Sequence, residues 1–239
     1  MHAHTLSPLI IGLTGPAGCG KDTVASILQT HCGAAVLAFA DALRSEIVDA
    51  YCVEHICLTQ RNTKEHPMQA LALARCLDSS FVNAITVHHM RAGLPLDVEA
   101  PRSPRQIMQW WGTEYRRKQQ PEYWVQKARQ SVRWMLTTLK PPAVVLTDVR
   151  FDNEAALVRK SFSGHIWQVK RPGCTVQPGA HTSEVCGALF EPAAVINNSH
   201  DIRHLQGLVL SEYAALAWGV PGVRVEVPAD AVAEQGAAA

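Results

Sequence analysis

The chain is 239 residues long, enough to bury one large α/β core or a domain carrying an inserted lid. Its 22 Lys and Arg stand against 21 Asp and Glu, which excludes the basic excess of a dedicated nucleic-acid binder and leaves any anionic ligand to be held by local charge. Nowhere do roughly 18 apolar residues run uninterrupted, and the start MHAHTLSPLI carries no basic leader, so a soluble, untargeted protein without a membrane partner is expected.

PLIIGLT, residues 8–14, is an aliphatic, β-branched run that stops at Gly15, the pattern of a buried parallel strand. From Lys21 to about Gln29, Val24, Ile27 and Leu28 fall on one helical face. AAVLAFA predicts a second buried strand, with Asp41 as the cap of a helix beginning ALRSEIVDAY. No strand is evident over about 53–103. There PMQALALARCLDSSFVNAITVHHMRAG predicts helical material ending at Gly93, followed by the Pro-rich loop LPLDVEAPRSP, and the whole stretch reads as a helical insertion. Ser103 and Pro104 suit the N-cap and first position of a helix PRQIMQWWGTEYRRK, and Pro121 opens another through about Leu139.

AVVLTD predicts a later strand, DNEAALVRK a helix, GHIWQVKR and AAVIN two further strands, and residues 201–218 a closing helix. Alternating strands and helices predict one α/β domain over 8–218 with a mostly parallel sheet covered on both faces, and residues 1–7 and 228–239 as disordered tails. Seven cysteines (Cys19, Cys32, Cys52, Cys57, Cys76, Cys174 and Cys186) form no CxxC pair, which points to reduced thiols and a cytoplasmic setting. The sequence leaves oligomeric state open, a homodimer included.

Gly15, four residues, Gly20 and Lys21 match the phosphate-binding loop, with Asp22 where Ser or Thr is usual and Thr23 after it. Glycines let backbone amides turn inward around a phosphate, the helix that starts near Lys21 adds its positive end, and Lys21 reaches the β and γ oxygens. Gly15, Ala17, Gly18, Cys19, Gly20, Lys21, Asp22 and Thr23 are therefore the expected nucleotide-triphosphate contacts. The metal role usual for the hydroxyl is shared between Thr23, slightly preferred, and Asp22. Asp148 ends the AVVLT strand, where a parallel sheet delivers side chains to the crevice at its carboxyl edge, and is a candidate Mg²⁺ ligand through water or else an ordinary helix cap. Arg150 is either a phosphate clamp or a partner of Asp152 or Glu154.

GLTGPAGCGKDTVA, FADALR, RQIMQWWGTEYRRKQQPEYW, LTDVRFDNEA, HTSE and VINNSHDIRHL follow one another in an order that resembles phage and bacterial deoxynucleoside monophosphate kinases over about residues 9–210. The resemblance implies a three-layer P-loop kinase fold and transfer of the ATP γ-phosphoryl group to a deoxynucleoside monophosphate. The family pattern reads GTE, any residue, Gly, Arg; here Arg116 stands at the glycine and Arg117 at the arginine, which leaves two candidates for the phosphate contact. The resemblance also places Asp41 and Arg44 on the acceptor side, although Asp41 also suits a helix cap and Arg44 a surface charge. His181, Ser183 and Glu184 match the family's HxSE, with no chemistry assigned by spacing. Phosphomevalonate kinases share a related loop, a FADPLK-like stretch and an SDxR strand end, which keeps a small-molecule kinase of that type as an alternative.

As a regular helix, 104–118 would carry Gln106, Gln109, Trp110, Thr113 and Arg117 on one stripe and Ile107, Met108, Trp111 and Tyr115 on the opposite, oilier face. The mixed stripe offers an amide, an aromatic plane and a cation to something flat and anionic, unless Trp110 is simply core. A nucleoside monophosphate is already largely dianionic at neutral pH, since its second pKa is about 6, so no general base is required. Lys21, Mg²⁺ and the arginines Arg117 and Arg150, with Arg171 behind them, are the expected transfer machinery. An alcohol acceptor would need a carboxylate base, for which Asp41 is the candidate. A non-catalytic nucleotide-binding protein is a third reading, against which stand the missing NKxD motif and the missing basic stripe. HH at 88–89, HDIRH at 200–204 and CVEHIC at 52–57 give no complete zinc ligand set.

Overall fold

The computed structural model describes residues 7–174 and 191–219. Five strands, β1 (Leu9–Thr14), β2 (Ala35–Ala38), β3 (Ala143–Thr147), β4 (His165–Lys170) and β5 (Ala194–Asn197), form one sheet in the order β2-β3-β1-β4-β5. Every pairing is parallel, with Ile11 opposite both Val145 of β3 and His165 of β4. β1 is central: the chain first crosses to β2 on one side, then returns through β3 and crosses over β1 to β4 and β5 on the other. That leaves a crevice beyond the carboxyl ends of β1 and β3, the place where open parallel sheets bind ligands.

Both faces of the sheet are covered, making three layers. Ile11 and Leu13 of β1 pack with Val24, Ile27 and Leu28 of α1 (Lys21–Cys32) and with Leu205 and Val209 near the chain's end. Ile10 points the other way, into a cluster with Val125, Ala128, Val132, Leu157 and Val158. This alternation is the period-two consequence of a strand buried on both sides. β3 is buried along its whole length.

The expected elements occur in the expected order, with three informative differences. Helix α2 (Phe39–Tyr51) begins two residues earlier than Asp41, so Asp41 sits inside the first turn and reaches back to accept from the Ala38 amide at 2.8 Å. The stretch 53–103 is less continuously helical than its apolar content suggested. It holds a short α3 (Ile56–Thr59), three single 3₁₀ turns and one long helix α4 (Ser79–Ala92), capped by Asp78 accepting from the Phe81 amide at 3.0 Å. Leu58, Leu71, Leu73, Phe81 and Ile85 from this stretch share a third core with Ile47 and Tyr51 of α2 and with Ile107, Trp111, Tyr115 and Trp124.

The third difference is a change of helical pitch. α5 (Pro104–Gln109), with Ser103 accepting from the Gln106 amide at 3.2 Å, passes at Trp110 into wide π turns over Trp110–Arg117. α6 (Tyr123–Trp134) and α7 (Asp152–Ala156) also run on into π turns, over Met135–Leu139 and Leu157–Ser161. A closing helix α8 (Ile202–Trp218) is capped by Asp201, which accepts from the His204 amide at 2.8 Å. No helix among the described residues is long and apolar enough to cross a membrane.

Candidate active site

The loop between β1 and α1 is a glycine structure in the strict sense. Gly15 and Gly20 have φ of 141° and 105°, and a Cβ at either would overlap its neighbours, the Val169 carbonyl at Gly15 and the Asn198 side chain at Gly20. Asn198, at the end of β5, donates from Nδ2 to the Cys19 carbonyl at 2.9 Å and so props the loop from outside. Lys21 folds back over the loop, its Nζ donating to the carbonyls of Gly15 at 2.9 Å and Pro16 at 3.0 Å. At the start of α1 it is only 7% exposed. Among the described residues no side chain caps the first turn of α1, so that turn presents its amides and the positive end of the helix dipole.

Asp148 follows β3 in the left-handed region, φ 61°, a conformation that aspartate tolerates better than most residues. Its Oδ1 lies 3.5 Å from Lys21 Nζ and 3.6 Å from an Arg150 nitrogen. Burial alone would raise its carboxyl, but Arg150 and Lys21 outweigh that and hold it below its ordinary value. It is thus an ionised carboxylate at the mouth of the loop. Among the described residues no three acidic, histidine or cysteine side chains gather as a ready-made metal cage. One carboxylate beside a phosphate loop nevertheless fits Mg²⁺, which binds through one or two protein carboxylates, waters and the phosphates themselves. Thr23 is half-buried and Asp22 exposed on the first turn of α1.

Beside the loop opens a cavity of about 280 Å³. Ala17 of the loop, Asp148, Arg150, Phe151 and Glu154 line it, together with Phe39, Ala40, Leu43 and Arg44 of α2. Met108, Gln109, Gly112, Thr113, Arg117 and Trp124 form the facing wall, and Lys64 and Arg105 complete it. Expected acceptor residues Arg44, Gln109, Thr113 and Arg117 therefore share one cavity with Asp148 and Arg150. Asp41, Trp110 and Arg116 are not among its lining residues. Asp41 instead accepts from Arg44 at 2.9 Å, and the Arg44 Nε is buried without a hydrogen-bond partner among the described residues.

The change of pitch explains the departure of Trp110 from the expected stripe. Bonds from i to i+5 make each turn wider than an α turn, so residues four apart stay nearly in line while residues three apart swing to different faces. Trp110 is carried away from the cavity, against the edge of His89 (ring centroids 5.1 Å apart), with the Arg102 guanidinium 5.4 Å over its ring. Gln109, Thr113 and Arg117, each four apart, stay on the cavity. The Gly112 carbonyl accepts from Trp124 Nε1 at 3.1 Å, a partner from the next helix.

Adjacent arginines end in different environments. Arg116 donates from Nε to Glu46 at 2.9 Å and lies over the Tyr115 and Tyr123 rings, while Glu46 also accepts from Trp111 Nε1 at 2.9 Å and from the Tyr123 hydroxyl. Burial would lower the Arg116 pKa, but the Glu46 carboxylate more than compensates and raises it. Arg117 points to the cavity, donating to Glu154 Oε1 at 2.6 Å with its guanidinium 3.8 Å from the centre of the Phe151 ring.

Sequence reasoning missed several residues here. Glu154 was visible only as a partner for Arg150, and Glu46, Phe151, Lys64, Arg105 and Asn198 were given no role, because each meets its partners through contacts between distant segments. Arg171 is exposed and not among the lining residues. His181, Ser183 and Glu184 lie outside the described residues.

No protein-family model matches the chain, and no curated protein matches it. Among solved structures, it is similar to TT1252 from Thermus thermophilus (21% identity, TM-score 0.44, covering 87% of this chain and 98% of that one). It is also similar to dephospho-CoA kinase from Campylobacter jejuni (14%, TM-score 0.45, 88% and 98%) and to a gluconokinase from Sinorhizobium meliloti 1021 (12%, TM-score 0.41, 89% and 94%). The α/β architecture rests on the strand order and register of the sheet itself.

Proposed function

We propose that the protein is a phosphotransferase that moves the γ-phosphoryl group of ATP to a nucleoside monophosphate, with a deoxynucleotide as the preferred acceptor. The observation that carries this reading is the convergence of Arg44, Arg117 and Arg150 on one cavity that opens beside the glycine loop and Lys21. Positive side chains crowded next to a triphosphate loop suit an acceptor that is itself an anion. Gln109, Thr113, Phe39 and Trp124 supply hydrogen-bonding and flat apolar surface for a base.

Lys21 and the first-turn amides of α1 hold the donor phosphates, while Arg117 and Arg150 draw the acceptor phosphate toward them and offset the charge that two anions bring together. Asp148, with Thr23 and Asp22 at the loop, would hold Mg²⁺, which neutralises phosphate oxygens when bound. An alcohol acceptor fits less well. Asp41, the expected base, is absent from the lining, and the carboxylates that do line the cavity, Asp148 and Glu154, are each engaged by cations. The test is an acceptor panel of deoxy and ribo monophosphates and phosphomevalonate with Mg-ATP, followed by product analysis. Formation of a nucleoside diphosphate supports the reading, and ATP turnover confined to phosphomevalonate, or absent throughout, rejects it.

A further inference from the structure

Glu154 is 1% exposed, yet it borders the cavity. Three donors from two separate elements meet on its carboxylate. Arg117, from the wide-turn helix, reaches Oε1 at 2.6 Å, while the amides of Arg150 and Phe151 reach Oε2 at 2.9 and 3.3 Å. An arginine side chain has many rotamers. Gripped by a carboxylate at one edge and stacked at 3.8 Å on Phe151, this one keeps a single plane. The same carboxylate fixes the backbone at Arg150, whose side chain lies beside Asp148 at 3.6 Å. Asn153 adds a second tie between the two elements, donating to the Pro121 carbonyl at 3.2 Å and to Glu122 at 3.0 Å.

We infer that Glu154 is a positioning residue that sets the guanidinium of Arg117 and the main chain of Arg150 in register, so that both arginines meet one acceptor anion; this rests on the phosphate-acceptor reading above. Glu154 acts through Arg117 rather than on the reacting atoms, since both of its oxygens are taken by donors.

The test joins two readouts on the full chain. Side-chain NMR of the arginine guanidinium groups, with the Arg117 signal assigned by its loss in Arg117→Lys, reports rotation about the Nε–Cζ bond. Slow rotation is expected in the wild type and fast rotation in Glu154→Gln. In parallel, Glu154→Gln should raise the KM for a deoxynucleoside monophosphate about tenfold and leave the KM for ATP unchanged, the usual weight of one charge-assisted hydrogen bond. In an Arg117→Ala background the same substitution should add less than about twofold, because its effect travels through the missing side chain.

Unchanged Arg117 rotation in Glu154→Gln, or equal KM effects in both backgrounds, would overturn the inference. If the Gln variant does not fold, Glu154→Asp, one methylene too short to serve both elements, takes its place; a loosened Arg117 and a raised acceptor KM support the role, and wild-type values contradict it. A wild-type protein that phosphorylates no nucleoside monophosphate while Arg117 still depends on Glu154 would remove the acceptor reading and leave the positioning role standing.

Discussion

The glycine loop and the arginine wall of the cavity are built in opposite ways. The loop is one continuous stretch in which two glycines, one lysine and the start of α1 supply the geometry, with Lys21 held by carbonyls five and six residues away. The wall is assembled from distant parts: Arg117 meets Glu154 across 37 residues, as its neighbour Arg116, off the cavity, meets Glu46 across 70. Local construction tolerates little change within its own segment. Distributed construction makes Arg117 and Arg116 each depend on a carboxylate in a distant segment, so the two regions should fail differently when a cation is removed.

Lys21→Ala should have the largest effect on turnover, a fall on the order of a hundred- to a thousandfold, because it removes a preorganised charge at the phosphates. It should also lower stability by about 1 kcal/mol, since Lys21 is buried and bridges two loop carbonyls. An ADP-release assay together with urea unfolding measures both. Arg117→Ala reverses the balance. Acceptor KM should rise about tenfold with ATP binding intact, and stability should fall by about 3 kcal/mol because Glu154 is left buried and uncompensated. Isothermal titration with ATP beside acceptor kinetics separates the two.

Arg116→Ala sharpens the contrast between neighbours. Its partner Glu46 keeps Trp111 and Tyr123, so a loss of about 1–2 kcal/mol is expected with acceptor KM unmoved. A rise in KM equal to that of Arg117→Ala would mean that the cavity is read from the wrong arginine.

The smallest effect lies in acid, where the two carboxylates should act with opposite sign. Asp148 is held below its ordinary 3.8, so its stabilising contribution is complete above that value and is lost as pH falls through the lower folded one. Burial pushes Glu154 above its ordinary 4.5, and Arg117 with the Arg150 and Phe151 amides pulls it back only in part. The folded state therefore binds an extra proton between 4.5 and the raised value, and this group's contribution improves as pH falls across that window. Unfolding midpoints against pH for Asp148→Asn and Glu154→Gln should differ from wild type with opposite slopes. Parallel curves would contradict the assigned environments.

This contrast also explains what could be read in advance. PLIIGLT, the loop and α1 were legible because burial on both faces, glycine spacing and a helix face are properties of neighbouring residues. AVVLT with Asp148 at its end was legible for the same reason. The stripe Gln106, Gln109, Trp110, Thr113, Arg117 was only partly right, because it assumed α periodicity across a segment that widens at Trp110. Nothing in the local pattern of WWGTEYRR announces that change; it accompanies a Trp111 that is 1% exposed, bonded to Glu46, and a Gly112 carbonyl taken by Trp124. Asp41 shows a smaller version of the same limit: a capping residue was expected, and a three-residue shift of the helix start made it a reach-back partner of Ala38 that also holds Arg44.

The most direct test of a cavity shared by two anions is calorimetric binding of a bisubstrate analogue in which a phosphate chain joins adenosine to a deoxynucleoside. A single site that binds it far more tightly than ATP or the monophosphate alone, and loses that advantage in Arg117→Ala, is the predicted result. Binding no tighter than ATP, unaffected by Arg117→Ala, would contradict the account.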